Sequence, residues 1–356
     1  MGDPAGIGPE VLLALLKRPP SSVSISVVGD LAWLKLLSRR LRIQPPWSAY
    51  HWVDVPNVPL GLKQGKVQAA AGRAARDYLQ EAVRRIKLGQ ADALVTAPVS
   101  KEAIVRAGIS WIGHTEFLAE SFRCQTVMMF ITKEFRVSLV TTHVALRELP
   151  KIITTSRVKK VLAMTQEALA RNFGIRHPRI ALAALNPHGG EGGLFGQEEK
   201  RILLPAVRAF KGTIAGPLPA DSLMEQAHRG LYDAVVALYH DQALIPVKLI
   251  GWAEAVNVTL GLPFIRTSPV HGTAFDLAGT GRADSRSMRA AIELAIQLAR
   301  DRTSGAGFSG RLPAPARPAA LTSSPRSFLA FGSEHRAREG FQLPSNPVPL
   351  VRPRAS

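Results

Sequence analysis

Three histidines follow runs of β-forming residues in separate parts of the chain. His143 ends VSLVTTH, His188 ends IALAALNPH, and His240 follows VVALY. In open α/β sheets, ligands bind beyond the carboxyl ends of the strands. Imidazole is the commonest protein ligand for a divalent transition metal, and a catalytic metal keeps positions open for substrate. The pattern predicts a three-imidazole metal site. The alternative interpretation, three separately hydrogen-bonded loop residues, stays open on the residues alone.

Polar side chains at predicted helix starts are candidates for substrate contacts. Ser100 and Lys101 follow the apolar run ADALVTA, and they form either such a contact or a plain N-cap. His114 and Thr115 open another helix, where free backbone N–H groups favour an oxyanion; a Thr N-cap beside an incidental His is the alternative. Further candidates lie outside helix starts: Asp221 in the rigid turn GPLPAD, Asn257 on a predicted strand, and Arg266 after that strand. Asn257 and Arg266 are each more often structural when considered alone.

Composition limits the class of protein. With 356 residues and 46% hydrophobic content, the chain can form two domains or one large α/β unit. No run approaches the roughly 20 apolar residues that span a bilayer. The first ten residues lack the basic and apolar regions of a signal peptide, so a cytoplasmic location is predicted. The single Cys124 excludes an intrachain disulfide and a cysteine-based zinc site.

The chain is strongly basic, with a net charge of +18. Residues 302–356 hold eight Arg and two Glu, so about a third of the excess lies in a Pro/Arg/Ser-rich segment that we predict to be a disordered tail. The remaining charge favours phosphorylated or carboxylated partners. Interleaved aromatics, zinc-finger spacing and a basic recognition helix are all missing from the sequence, which argues against a nucleic-acid binder.

Many short motifs occur together in a fixed order, and in this the chain resembles the 4-hydroxythreonine-4-phosphate dehydrogenases of pyridoxal phosphate synthesis. The resemblance runs from Met1 to about Arg300. The motifs that carry it are MGDPAGIGPE, TAPVSKEAI, GHTEFLAE, TTHVALRELP, LNPHGGEGG, GPLPAD, YHDQALIPVK, VNVTLGLPFIRTS and HGTAFDLAGTGRAD.

The resemblance implies an α/β fold of the isocitrate/isopropylmalate-dehydrogenase type. This is an α/β/α arrangement of two lobes with the site in the cleft between them, here spanning residues 1–301. The resemblance also implies a homodimer whose site uses residues of both subunits. Nucleic acid and membrane are not expected partners.

The resemblance also assigns roles to individual residues. The metal ligands would be His143, His188 and His240, which would hold one divalent ion of zinc, magnesium or cobalt. The substrate contacts would be His114, Thr115, Asp221, Lys248, Asn257 and Arg266. The segment HGTAFDLAG looks like the adenine-side NAD loop of the wider superfamily, so the NAD (or NADP) contacts would be His271, Gly272, Thr273, Ala274 and Asp284.

The implied reaction is NAD-dependent oxidation of 4-(phosphooxy)-L-threonine to 2-amino-3-oxo-4-(phosphooxy)butanoate, then decarboxylation to 3-amino-2-oxopropyl phosphate. Two alternatives remain open. One is the same chemistry on a four-carbon sugar acid such as threonate or erythronate 4-phosphate. The other is a catalytically impaired homologue that still binds ligands.

Three features depart from the family pattern. The family has a short strand before MGDPAGIGPE, so the first strand is expected to be missing from residues 1–301. Val270 stands where the family commonly has Asp, which is expected to alter cofactor or metal-shell contacts. The basic tail has no family counterpart.

Overall fold

The structure is a computed structural model that describes residues 1–20, 23–110, 113–133 and 135–304. These residues belong to one unit, Met1–Ala316, and the second unit, Arg317–Ser356, lies outside the described residues. The last described helix continues to Ser304, three residues beyond the predicted end of the catalytic unit. Most of the predicted tail therefore lies outside the described residues, and its disorder stays a prediction.

The described residues contain eleven α-helices and ten β-strands. The helices are α1 (Gly8–Leu15), α2 (Leu31–Leu41), α3 (Ala69–Lys87), α4 (Lys101–Arg106), α5 (His114–Ser121), α6 (Leu149–Ile152), α7 (Thr155–Phe173), α8 (Leu204–Arg208), α9 (Ala220–His228), α10 (His240–Gly251) and α11 (Arg286–Ser304). The strands are β1 (Ser26–Gly29), β2 (His51–Asp54), β3 (Ala93–Val95), β4 (Val127–Ile131), β5 (Arg136–Leu139), β6 (Arg179–Ala183), β7 (Thr213–Leu218), β8 (Ala234–Ala237), β9 (Val256–Leu260) and β10 (Ile265–Pro269).

Eight strands form one mixed sheet in the order β3-β10-β9-β4-β5-β8-β6-β7. Strands β5, β8, β6 and β7 run parallel, whereas β4 and β9 each pair antiparallel with their neighbours. Alternate residues of β8 belong to opposite cores: Val236 packs in the cluster that holds Leu162 of α7, and Val235 packs with Leu244 of α10. Helices therefore cover both faces, and the predicted α/β/α arrangement is confirmed.

The two remaining strands, β1 and β2, form a separate parallel pair. Its core contains Leu13 of α1 and Leu34 of α2. The start of α2 is fixed by Asp30, whose Oδ1 accepts from the Trp33 backbone N–H at 2.9 Å and whose Oδ2 accepts from Val58 N–H at 2.9 Å. One carboxylate thus joins the end of β1 to the loop after β2.

The described helices include none that is both long enough and apolar enough to cross a membrane.

Candidate active site

Two of the three predicted metal ligands lie together. His240 is the first residue of α10, directly after β8, and His143 follows the neighbouring parallel strand β5. The ring centroids are 5.7 Å apart. His240 Nδ1 lies 2.7 Å from Asp241 Oδ1. Because an ionised carboxylate only accepts, Nδ1 is the donor in this contact, which orients the ring.

The protonation state of His143 also suits metal binding. Burial lowers the pKa of His143, and the nearby positive charge of Lys101 acts in the same direction. The neutral imidazole is the form that coordinates a metal ion. The lowered pKa of His143 and the adjacent ring of His240 thus fit a divalent cation.

Lys101, which the sequence offers as a substrate contact or as part of a plain N-cap, lies beside His143. Its Nζ lies 3.4 Å from each ring nitrogen of His143. The Ser100 hydroxyl accepts from the Ala103 N–H at 3.1 Å, which caps α4 and fixes Lys101 at its first position. Among the described residues Lys101 has no ion pair with a carboxylate, so its cation is available to an anionic ligand beside the histidine pair.

A buried cation lies in strand β10, which pairs with β3 and β9. Arg266 is 3% exposed, and its guanidinium donates to the hydroxyls of Thr96 and Thr259 at 2.7 and 2.9 Å. Its Nε has no hydrogen-bond partner among the described residues. Burial lowers the pKa of Arg266 to about 10, and attraction to Glu116 opposes the shift, so the group stays charged at neutral pH. A buried cation without a paired carboxylate is suited to an anion.

His114, at the first position of α5, lies in the electrostatic field of Arg266. Burial lowers the pKa of His114 well below its usual value, and the charges of Arg266 and the chain amine add to the effect. Its imidazole is therefore neutral. Thr115 follows it in the first turn, although the N-cap itself is Gly113 and makes no side-chain capping bond. The start of α5 thus presents an uncharged ring and a hydroxyl near the Arg266 cation.

The third predicted metal ligand is placed elsewhere. His188 lies five residues beyond β6, in a loop that is held at its base by Glu199 Oε1, which accepts from the Leu185 and Asn186 N–H groups at 2.9 and 2.8 Å. The His188 side chain is 73% exposed, and its ring neighbour is Phe195. Across the described residues, no three His, Cys, Asp or Glu side chains are arranged to hold a metal ion. A single chain therefore brings two of the three predicted ligands together.

The backbone of that loop is unusual. Residues 188–192 all have a positive φ, including His188 at 54° and Glu191 at 43°. Non-glycine residues pay a steric cost in this left-handed region, and such strain persists mainly at functional sites. The strain supports a role for His188, although the described contacts do not join its ring to the histidine pair.

The remaining predicted substrate residues surround the site more loosely. Lys248 lies two turns after His240 on α10, and its Nζ lies 5.2 Å from the centroid of the Trp252 ring. Asn257 of β9 has a buried Oδ1 with no partner among the described residues. Asp221 is exposed at the start of α9 and accepts from the Ser222 N–H. The described contacts do not join any of these three to the histidine pair.

The predicted cofactor loop, residues 271–284, packs on the Gly-rich turn at the start of the chain. The Ile7 N–H donates to the Thr273 carbonyl at 3.0 Å. Glu10 is 2% exposed, and its carboxylate accepts from the Gly279 and Ala283 N–H groups at 2.9 and 3.0 Å. A Cβ on Gly6 would lie 2.9 Å from the Thr273 Cβ, so only glycine permits this approach. No sequence pattern marks this turn as the support of the predicted cofactor loop.

The predicted cofactor residues differ in how they are placed. His271 Nε2 is buried without a partner in the described structure, and Gly272 faces open space. Ala274 has a φ of 38°, another strained position. Asp284, in contrast, is paired with Arg286, which lowers the pKa of the Asp284 carboxyl. A cofactor hydroxyl would have to compete with that guanidinium.

Asp3 gives a pH-dependent prediction. Burial raises the pKa of this carboxyl to about 6, although N–H groups such as that of Ala5 oppose the shift. The folded state thus binds more protons than the unfolded state between about pH 4 and 6, and the free energy of unfolding falls as pH rises through that window. Relative to Asp3→Asn, the wild type should lose about 3 kcal/mol between pH 4 and pH 7. Urea unfolding of both proteins at each pH measures this; a difference that stays constant would contradict it.

Comparison with known proteins places this site in context. Residues 27–295 match the family model described as "Pyridoxal phosphate biosynthetic protein PdxA". A 4-hydroxythreonine-4-phosphate dehydrogenase of Geobacter metallireducens is 46% identical over 328 residues, covering 86% of this chain and 96% of its own. A D-threonate 4-phosphate dehydrogenase of Salmonella typhimurium is 44% identical over 321 residues, covering 84% of this chain and 97% of its own.

A solved structure agrees with these matches. The crystal structure of 4-hydroxythreonine-4-phosphate dehydrogenase from Klebsiella pneumoniae matches with a TM-score of 0.75 at 42% identity, covering 84% of this chain and 98% of that one. The likeness spans nearly the whole of the relative's fold.

Proposed function

The chain belongs to the PdxA family of pyridoxal phosphate biosynthetic proteins, and on that premise we propose that it is a 4-hydroxythreonine-4-phosphate dehydrogenase. The reaction would oxidise 4-(phosphooxy)-L-threonine to 2-amino-3-oxo-4-(phosphooxy)butanoate, which then loses CO2 to give 3-amino-2-oxopropyl phosphate. The observation that carries the proposal is the pair of adjacent imidazoles, His143 and His240, with the cation of Lys101 beside His143.

The histidine pair would hold the metal ion, with His188 as the third ligand. When bound, a divalent ion such as zinc, magnesium or cobalt supplies Lewis-acid stabilisation of negative charge that develops on a substrate oxygen. The protein's contribution is to lower the pKa of His143 and, through Asp241, to orient His240.

The cations and polar groups around the pair would bind the substrate. Arg266 and Lys248 are of the type that captures phosphate or carboxylate, and His114 and Thr115 add a neutral ring and a hydroxyl. Asp221 and Asn257 complete the proposed set. Because Arg266 is already held by two threonine hydroxyls, an anion would meet a preoriented guanidinium.

NAD (or NADP) would bind at the loop 271–284, where it supplies the hydride acceptor. His271, Gly272, Thr273 and Ala274 would contact it, and Asp284 would do so after parting from Arg286. Glu10 holds the far side of this loop through two N–H groups, so the loop's backbone is positioned before the cofactor arrives.

We also propose that the enzyme is a homodimer in which His188 of one subunit completes the metal site of the other. Two observations support this arrangement. His188 is exposed and does not reach the pair in its own chain. Large apolar side chains are exposed both beside His188 and on the helix that begins with His240. These are Leu194, Phe195, Ile245, Leu249 and Trp252, all at least 51% exposed.

Leu249→Asp tests the proposed interface. Leu249 is 80% exposed, so the change should leave the folded monomer intact but place a charge in the dimer contact. We expect the dimer dissociation constant to rise by about a hundredfold or more. Sedimentation velocity measures this, with Leu88→Asp, another exposed leucine at the end of α3, as the matched control. If both variants dimerise like the wild type, α10 is not in the interface.

The relatives carry two different names at similar identity, so a second candidate substrate is D-threonate 4-phosphate. The deciding experiment follows NADH formation with each substrate, with zinc, magnesium or cobalt, before and after chelation. Metal-dependent turnover that favours 4-hydroxythreonine 4-phosphate supports the proposal. Preference for D-threonate 4-phosphate selects the alternative, and a folded, metal-loaded dimer with no turnover on either would overturn both.

A further inference from the structure

The backbone groups of Leu238 lie at the centre of a hydrogen-bond relay beyond the end of the sheet. Leu238 is fully buried, directly follows β8 and stands two residues before His240. Its carbonyl accepts from the Thr141 N–H at 3.1 Å and from the Thr141 hydroxyl at 2.7 Å. Thr141 is 1% exposed and stands two residues before His143. The two segments that carry the histidine pair are therefore joined at Leu238.

Gln242 continues the relay from the N–H group of Leu238. It is the third residue of α10, and its Oε1 accepts from the Leu238 N–H at 2.7 Å. Tyr239, the N-cap of this helix, makes no side-chain capping bond. Gln242 instead reaches back over the first turn, as a glutamine at this position does in a capping box. The turn that carries His240 is thereby fixed against the end of β8.

The other end of the same amide reaches the segment that carries His188. Gln242 Nε2 donates to the Ala184 carbonyl at 2.8 Å. Ala184 is 1% exposed, directly follows β6 and stands four residues before His188. The register of β6 with β8 ends at the pair Leu182 and Val236, so this bond extends the connection past the last strand pair. One side chain thus joins the ends of both strands.

The base of the His188 loop is also held from a second direction. Glu199 lies in the chain before α8, and its Oε1 accepts from the N–H groups of Leu185 and Asn186. Gln242 holds the preceding carbonyl from the side of α10. The base of the loop is therefore fixed between two elements, and Gln242 sets its position relative to the helix that begins the histidine pair's second segment.

We propose that Gln242 is a positioning residue for the metal ligands. With Thr141 it sets the three histidine-bearing segments relative to one another, through the relay at Leu238. The inference rests on the proposed function, because it concerns the ligands assigned there to the metal. Loss of the amide would leave two buried backbone groups, the Leu238 N–H and the Ala184 carbonyl, without their partners, and the segments would have to shift to regain them.

The proposed dimer extends the consequence to both metal sites. In that arrangement the relay of one chain joins the histidine pair of one site to the His188 segment of the other. A change at Gln242 would therefore displace ligands of both sites at once. Groups that orient metal ligands without touching the metal commonly change its affinity by about 10–100-fold when they are removed.

Gln242→Met tests the relay, because methionine has nearly the length and volume of glutamine but makes neither hydrogen bond. We expect the apparent dissociation constant for Co²⁺ to rise by about 10–100-fold. Competition with a chromogenic chelator measures it on the full chain. Gln166→Met is the matched control, since Gln166 is a half-buried glutamine on α7 whose Nε2 donates to the Lys211 carbonyl at 3.2 Å. The control should bind Co²⁺ like the wild type.

A pair of variants at Thr141 tests the other half of the relay and does not depend on the folding of Gln242→Met. Thr141→Val keeps the shape of the side chain but loses the hydroxyl that donates to Leu238. It should raise the dissociation constant for Co²⁺ by about threefold to tenfold. Thr141→Ser keeps the hydroxyl and should stay within about twofold of the wild type.

Three results would overturn the proposal. If Gln242→Met lowered Tm but kept the wild-type affinity for Co²⁺, Gln242 would support only the fold. Equal losses of affinity in Gln242→Met and Gln166→Met would mean that general destabilisation is responsible. The third result separates this inference from the proposed function: if His240→Ala bound Co²⁺ as tightly as the wild type, the metal site itself would be assigned wrongly, and the positioning role would fall with it.

Discussion

Replacing His240 with alanine is expected to abolish metal-dependent turnover while leaving the fold intact. The ring contributes one of the two ligands that a single chain brings together, and its side chain is 39% exposed with Asp241 as its hydrogen-bond partner. Loss of a metal ligand should lower kcat by about a thousandfold, equivalent to about 4 kcal/mol of transition-state stabilisation. Since little packing is lost, Tm should change by no more than about 2 °C.

The measurement combines metal content, by elemental analysis after dialysis, with the rate of NADH formation. His228→Ala is the matched control, because His228 is an exposed histidine at the end of α9. The control should retain both the metal and the activity. If the His240→Ala protein kept its metal and turned over substrate normally, the histidine pair would not be the site of the metal that the reaction requires.

The second large effect that we expect is recovery of activity when two inactive variants form a heterodimer. His188→Ala and His240→Ala should each be inactive as pure proteins. In a heterodimer of the two, one site combines an intact His240 with an intact His188 from the opposite subunit, and the other site lacks both. We expect about half of the wild-type activity per dimer. Heterodimers purified through two different affinity tags provide the measurement.

A second heterodimer supplies the control. His143→Ala paired with His240→Ala damages both sites, because the geometry places these two rings in the same chain. This mixture should remain inactive. Equal inactivity of the first heterodimer would mean that His188 acts within its own chain, reached by a movement of its glycine-rich loop.

The elements that carry the site could largely be predicted from the sequence. The β-forming run before His240 forms β8, Ser100 caps α4, and the small-residue segment 271–284 forms a loop. These features depend on local chemistry, namely strand propensity, a side-chain cap and the lack of apolar periodicity. The sequence also predicts the three histidines at strand ends, and β5, β8 and β6 are adjacent parallel strands.

Other elements depend on distant partners and could not be predicted. β2 lies within a Pro- and Trp-rich stretch that has no strand pattern of its own, and it forms by pairing with β1. β7 contains Gly216 and Pro217, which indicate a turn, yet an edge strand tolerates proline because one side needs no donors. Pro246 stands inside α10, although proline usually interrupts a helix.

The distance between side chains was the least predictable property of the site. His188 begins a run of positive φ angles at residues 188–192, and no sequence pattern fixes where such a backbone directs its ring. Lys101 is 42 residues from His143, and no local signal joins them. The parallel β sheet brings strand ends together, but the loops beyond it decide which side chains meet.

The contact between Glu10 and the loop 271–284 has a consequence for biosynthesis. Its two hydrogen bonds join residues 269 and 273 positions apart, close to the largest separation within the described chain. A ribosome that adds about 5–20 residues per second would synthesise Glu10, the acceptor, roughly ten seconds or more before the donors Gly279 and Ala283. Such non-local contacts close late, because ordering the intervening chain must come first. We therefore expect the predicted cofactor loop, residues 271–284, to fold after the sheet during translation, when its backbone can first bind Glu10.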